Sequence, residues 1–293
     1  MFVDCLLCSS QTVLWGRKES YRILKCIRCG FGFVYPRPRP LDLNTFYYTR
    51  RDEGFQPSPK MMRYRKEIPA CQNAQLIESR LRRLGCFHGR ERHSLLDVGA
   101  GFGGISSYFS LRGWRVFAVE PSPLCIRDLE KLKGVHVIAS TFEEWEAEGL
   151  LFDVIVMSQV LEHVLDPASF LRKSAQLLKP GGVLFVSVPN FNSLLVRILK
   201  TKEGHICPPE HLNYFTPKSI LQIALVSGLS VSAVFTSNML TRSLAIEGWK
   251  EYVQIALLQK MPLSIVFGSF SWYMLELASA FGQGRYIFTF LKK

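Results

Sequence analysis

From Ser94 onward the chain alternates short apolar runs with segments of helical character, and this alternation restricts the possible fold more than any other feature. SLLDV is followed by a helical stretch over 104–112, WRVFAV by 122–132, FDVIVM by 167–178 and GVLFVSV by 217–227, while VHVIA and LSVSAVF complete the set of apolar runs. Apolar runs rich in Val, Ile, Leu and Phe suit strands covered on both faces, and the helices between them supply the cover. The expectation is an α/β fold with a doubly wound, mainly parallel sheet, which places ligands beyond the carboxyl ends of its strands.

The first of these strands runs directly into a glycine-rich turn. Gly99, Gly101 and Gly104 satisfy G-x-G-x-x-G, and Glu120 ends the second strand at about the offset expected of a ribose-binding acid. Taken alone, the pattern reads as a dinucleotide site. Asp97, two positions before the first glycine, argues against it, because a carboxylate there would repel a pyrophosphate. A cationic ligand is favoured instead. S-adenosylmethionine fits, since it lacks phosphate and carries positive charge on its sulfonium and amino groups, while Glu120 can accept both ribose hydroxyls. The plainer reading is a structural turn beside a solvated Glu120.

Composition excludes several other classes. At 48% hydrophobic and 20% charged, the 293 residues are too apolar for a disordered chain, and they lack a collagen-like repeat. Eight cysteines are too few for a secreted disulfide scaffold, and no basic, apolar and small-residue leader opens the sequence, so a reducing cytoplasmic setting is expected. Four of the cysteines form Cys5-x2-Cys8 and Cys26-x2-Cys29, the spacing of a four-thiolate structural zinc site within an amino-terminal module spanning 1–40. Two disulfides or four unrelated thiols are the competing readings. Cys71, Cys86, Cys125 and Cys207 have no paired spacing and read as free, mostly buried thiols.

Charge is concentrated in the first third. Residues 1–93 hold 18 Lys and Arg against 8 Asp and Glu, so +10 of the net +12 lies there. Such a face attracts phosphate in any form, whether in RNA, nucleotide-linked metabolites or anionic lipid, although a merely solvated face has the same composition. Alternating prolines from Tyr35 to Pro40 mark a boundary. A connector and helical region over 41–93 follows, in which 60–85 reads as helix and Pro69 is expected to kink or divide it.

Over residues 94–238 and the final strand, LLDVGAGFGG, AVEPSP, FDVIVMSQVLEHVLDP and LKPGGVLFVSVPN occur in the order and at the distances that resemble the class I S-adenosylmethionine-dependent methyltransferases. The resemblance implies a Rossmann-like, seven-stranded sheet over 94–293. It places Asp97, Gly99 and Gly101 at the methionine end of the cofactor, Glu120 on the ribose, Glu143 near the adenine, and Ser158 and Gln159 beside the sulfur. The ribbon followed by CGFGFVYPRPRP and FYYTRR is similar to the methyltransferases of bacterial sugar and surface-polysaccharide pathways. Sugar carbon-methyltransferases continue into a further domain, whereas this sequence ends near YIFTFLKK, so transfer to oxygen is expected.

The segment 189–216 resembles the loop lying over the methyl group in that subset. His211 is the candidate general base, since an imidazole can remove a hydroxyl proton near neutrality; a loop-orienting role is the alternative, and His163 reads as a structural or cofactor-pocket residue rather than a catalytic one. A base is dispensable if positioning supplies the rate. A hydrophobic insertion over 239–283 contains a 14-residue uncharged stretch, Pro262–Leu275. It reads as an added core or dimer helix, a membrane-surface helix over 262–281, or a span. The function expected is methylation of a hydroxyl on a sugar, glycolipid or related metabolite, free or lipid-linked, by a cytoplasmic enzyme that can sit at the inner face of the membrane. RNA methylation through the basic ribbon is the alternative.

Overall fold

The structure, a computed structural model, describes residues 3–39, 68–84, 93–238 and 278–293. Its main body is a seven-stranded sheet built from β4 (Ser94–Val98), β5 (Arg115–Val119), β6 (Val135–Ile138), β7 (Phe152–Ser158), β8 (Leu178–Pro189), β10 (Ser230–Ser237) and β11 (Tyr286–Lys292). The order is β10-β11-β8-β7-β4-β5-β6. The five strands from β8 to β6 are parallel, and β11 lies antiparallel between β8 and β10. The doubly wound, mainly parallel α/β expectation therefore holds.

Strand periodicity assigns the core. Side chains alternate across a sheet, so Leu96, Val98, Ile155, Met157, Leu184 and Val186 enter one apolar cluster, while Leu95, Val154, Val156, Val183 and Phe185 enter another. The first cluster is closed by α4 (Pro167–Leu177) and α6 (Pro217–Val226) through Phe170, Leu171, Ile220 and Ile223. The second is closed by α1 (Ile68–Arg83) and α2 (Gly104–Ser110) through Ala74, Ile77, Leu81, Ile105 and Phe109. Burial of each large aliphatic chain contributes about 1.5–3 kcal/mol. Two shorter helices, α3 (Pro123–Leu129) and α5 (Leu194–Leu199), complete the described set.

Helix starts follow local chemistry. The Asp166 carboxylate accepts from the N–H groups of Ala168 and Ser169, and Thr216 and Ser219 form a reciprocal capping box. Each cap precedes a proline whose missing N–H costs nothing in a first turn. Pro69 is the second described residue of α1, and the part of the expected 60–85 helix before Ile68 lies outside the described residues. Cys71 is exposed on α1, not buried; Cys125 is buried and Cys207 partly so, and Cys86 lies outside the described residues.

The amino-terminal module is a second sheet, in which β1 (Thr12–Lys18), β2 (Tyr21–Cys26) and β3 (Gly32–Tyr35) are joined by β9 (Asn213–Tyr214) in the order β1-β2-β3-β9. The fourth strand thus comes from the 189–216 segment. Gly32 pairs with Tyr214 and Phe33 with Asn213. The Arg37 guanidinium donates to the carbonyls of Leu212 at 2.8 Å, Val164 at 3.2 Å and Leu165 at 2.6 Å, and the Thr216 hydroxyl donates to Cys29 O at 3.1 Å. The ribbon's cysteines and phenylalanines belong to the same apolar cluster as one face of the main sheet.

No helix among the described residues is long and apolar enough to cross a membrane. Most of the 239–283 insertion, including nearly all of 262–281, lies outside the described residues.

The joint between ribbon and loop is tight at Gly32, where an added Cβ would lie 2.6 Å from Phe191 Cε1. Phe191 is itself buried. Gly32→Ala is expected to cost about 1–3 kcal/mol through overpacking, read as a lower thermal unfolding midpoint; an unchanged midpoint would show that the ribbon is not clamped there.

Candidate functional site

The glycine loop follows β4 at the carboxyl edge of the sheet. Gly99, Gly101 and Gly103 have φ of 65°, 56° and 75°, in the region that favours glycine. Gly104, the last glycine of the sequence fingerprint, acts differently: a Cβ there would meet Ala70 Cβ at 2.6 Å, so its role is to let α1 approach α2.

Asp97 is 3% exposed, and its Oδ2 accepts from the Ser106 hydroxyl at 2.7 Å. Burial pushes its carboxyl up to about 7, with the Glu120 charge adding to the effect. Glu120 follows β5 and is equally buried. Its Oε2 accepts from the Gly101 N–H at 2.8 Å and its Oε1 from the Ser122 N–H at 2.9 Å. This carboxylate therefore ties the glycine loop to the end of the neighbouring strand, and each oxygen keeps a further lone pair for a donor.

Ser158 and Gln159 stand at the end of β7. The Ser158 hydroxyl is 3.1 Å from that of Ser187 and accepts from Asn73 Nδ2 at 3.0 Å. Gln159 has φ 60°, a conformation held by its N–H bond to Ser187 O at 2.9 Å, and its Nε2 donates to the Ser187 hydroxyl at 3.3 Å. Glu143 stands on the loop after β6, joined to none of these groups by a hydrogen bond or ion pair, and is exposed. Glu144 instead engages the Thr141 hydroxyl at 2.9 Å, leaving Glu143 as the open carboxylate of the pair.

The sequence did not single out Asn73, Ser106 or Ser187. Ser106 carried a usable signal, being a hydroxyl in the first turn after the glycine loop, between the buried Ile105 and Phe109.

His211 is 8% exposed, with Nδ1 2.7 Å from His205 O. Burial, and then the charges of His163 and His205, hold its pKa well below the ordinary value, so it is a neutral imidazole at physiological pH. His163 places Nδ1 2.8 Å from Glu210 O, and the two rings meet edge to face at 4.8 Å. Glu162 completes the group. It is 1% exposed, neither carboxylate oxygen has a hydrogen-bond partner, and burial pushes its carboxyl up to about 8.

In the ribbon, the Cys5 and Cys29 sulfurs are 3.6 Å apart, as are those of Cys8 and Cys26, and all four lie within 4.8 Å of one another. Those distances exclude disulfides and bracket the sulfur spacing of a tetrahedral ion with metal–sulfur bonds of about 2.3 Å. Backbone N–H groups of Leu7 and Arg28 point at Cys5 Sγ and Cys26 Sγ at 3.4 and 3.3 Å, favouring thiolate.

A carboxyl raised from about 3.8 to about 7 by burial gives a pH signature. The folded, ligand-free protein holds this proton where the unfolded chain releases it, so Asp97 takes away roughly 1.4 kcal/mol of stability per pH unit as pH rises from about 4 to about 7. Replacing it with Asn is expected to flatten that slope in unfolding measurements. An identical pH profile would show that Asp97 is not titrating there.

Comparison with known proteins agrees with this geometry. Residues 64–234, more than half of the chain, match the profile of a family described as a methyltransferase domain. A ubiquinone biosynthesis O-methyltransferase of Caulobacter vibrioides is 39% identical over 103 residues, covering 33% of this chain and 41% of that protein. Its counterpart in Methylocella silvestris is 36% identical over 129 residues, 42% of this chain and 48% of that protein. The chain thus spans less than half the length of these curated relatives. Among solved structures, the plantazolicin methyltransferase BpumL, in complex with a substrate analogue and S-adenosylhomocysteine, superposes with a TM-score of 0.56 at 13% identity, over 86% of this chain and 93% of that one. A 1,6-didemethyltoxoflavin-N1-methyltransferase of Burkholderia thailandensis gives 0.51 at 16% identity, over 95% and 97%. The fold is that of these enzymes, and the chain belongs to the methyltransferase-domain family.

Proposed function

We propose that this protein transfers a methyl group from S-adenosylmethionine to a hydroxyl oxygen of a sugar, glycolipid or related small metabolite. The observation that carries the cofactor assignment is the pair of buried acids at the carboxyl edge of β4 and β5. Asp97 stands where the pyrophosphate of a dinucleotide would be repelled, and with Glu120 available to ribose hydroxyls the pair suits a ligand that brings positive charge instead. In this reading Asp97, Gly99 and Gly101 receive the methionine end, Glu120 the ribose, Glu143 the adenine edge, and Ser158 and Gln159 flank the sulfur. The S-adenosylhomocysteine found with BpumL supports the same ligand class.

Oxygen as the acceptor atom is supported by the O-methyltransferase names of the curated relatives. The sugar or glycolipid class rests on the resemblance of the ribbon and the PPEHLNYF loop. His211 donates its Nδ1–H to His205 O, which leaves Nε2 as the nitrogen that would take the hydroxyl proton if a general base is used. The four cysteines are assigned a structural Zn2+, since four thiolates leave no open position for catalysis.

RNA is the second reading, favoured by the +10 excess over residues 1–93. It requires nucleic-acid binding that weakens steeply with salt.

Incubation of the protein with methyl-labelled S-adenosylmethionine and a bacterial extract is expected to label glycan or organic-extractable lipid; nuclease-sensitive label would overturn that class. Asp97→Ala is expected to abolish cofactor binding in calorimetry, and near-normal affinity would sink the loop assignment. Cys26→Ser should release zinc and loosen the ribbon while sparing the main sheet.

A further inference from the structure

Glu162 has a carboxyl group 1% exposed to solvent, and neither of its oxygens meets a donor. A buried carboxyl group without a hydrogen-bond partner is destabilising even when protonated, so its retention calls for a partner. We infer that Glu162, His163 and His211 form a divalent transition-metal site, distinct from the four-cysteine cluster, at the acceptor end of the active site.

The two imidazoles are already oriented for the purpose. His163 Nδ1 lies 2.8 Å from the carbonyl of Glu210 and His211 Nδ1 lies 2.7 Å from that of His205. A carbonyl only accepts, so each Nδ1 carries the proton and each Nε2 keeps its lone pair. Metal-bound histidines are held in this way, by a hydrogen bond from the other ring nitrogen to a carbonyl or carboxylate. His163 Nε2 is 3.9 Å from Glu162 Oε1, and one donor atom from each of the three residues lies within 4.8 Å of the others. Closing on an ion requires only small side-chain rotations.

The surrounding structure fixes these groups. Asn213 Nδ2 donates to the carbonyls of Leu161 at 2.8 Å and Val164 at 2.7 Å, bracketing the Glu162–His163 turn. The N–H groups of Leu212 and Asn213 both donate to Glu162 O, at 2.7 and 3.0 Å. Behind His211, His205 is pinned between Glu203 Oε1 at 3.2 Å and the Tyr286 hydroxyl at 3.0 Å.

Two imidazole nitrogens and one carboxylate, with the remaining positions open, select a borderline divalent ion of the zinc, iron or manganese class over magnesium or calcium, which prefer oxygen-only sites. Its role rests on the methyl-transfer reading. The acceptor hydroxyl binds an open position, its O–H acidity rises and the proton passes to water. The oxygen then forms a bond to the methyl carbon as the carbon–sulfur bond breaks, and the electron pair of that bond leaves neutral S-adenosylhomocysteine. His211 then serves as a ligand, and the ion takes over the task expected of a base.

The test is metal stoichiometry. Chelator-treated protein titrated with Zn2+ is expected to take up two equivalents. Cys26→Ser should remove the ribbon equivalent, and Glu162→Gln should weaken the second more than about 100-fold while leaving the first. Glu162→Gln is nearly isosteric and removes an unpaired acid, so it should melt no lower than the wild type in chelator; His163→Gln is an independent second variant. A single equivalent in wild type that disappears with Cys26→Ser, or a second equivalent undiminished by Glu162→Gln and by His163→Gln, overturns the site. Cofactor calorimetry on the same metal-free samples reports separately on the methyltransferase reading, since Asp97 and Glu120, on which the cofactor assignment rests, are unchanged in these variants.

Discussion

Two buried acids at the carboxyl edge of one sheet are the constraint around which the rest of the main body is arranged. The charge of Glu120 raises the cost of ionising Asp97, and among the described residues both acids are held by oriented dipoles. Ser106 donates to Asp97, while the N–H groups of Gly101 and Ser122 donate to Glu120. The Gly101 and Ser106 donors are available because the loop between Val98 and Gly104 turns through three positive-φ glycines and then begins a helix. Charge left uncompensated there favours a ligand that carries positive charge. Sheet order, loop geometry and ligand class are thus linked through a single electrostatic demand.

A second dependence joins the ribbon to the site. The 189–216 segment contributes β9 to the ribbon sheet and also carries His211 and its supports. The Arg37 fork reaches the carbonyls of Val164 and Leu165, immediately after Glu162 and His163. A ribbon with four thiolates is small and gains little from its own core. Its contribution is mechanical: it clamps the 189–216 loop and the turn that carries Glu162 and His163. Changes in the ribbon are therefore transmitted to the His163–His211 pair through backbone hydrogen bonds.

Much of this arrangement was legible in the sequence because the relevant signals are local. Strand and helix alternation gave the sheet, since apolar runs such as SLLDV have only one environment in which every residue is buried. The glycine turn, Asp97 and Glu120 could be read from offsets of a few residues. What could not be read was long-range. Nothing near Asn73 announces that its amide meets Ser158, 85 positions away. No pattern in PPEHLNYF states that two of its residues extend the ribbon sheet. Nothing in the LEHV segment marks Glu162, and only the structure shows that its carboxyl is buried without a donor among the described residues.

The central claim concerns the charge of the ligand that the Asp97–Glu120 edge accepts, and it can be tested without knowing the acceptor. Parallel calorimetric titrations of the purified protein with S-adenosylmethionine and with NAD+ address it directly. The account predicts saturable binding of S-adenosylmethionine at one site per chain and none of NAD+; binding of NAD+ with S-adenosylmethionine excluded would contradict it.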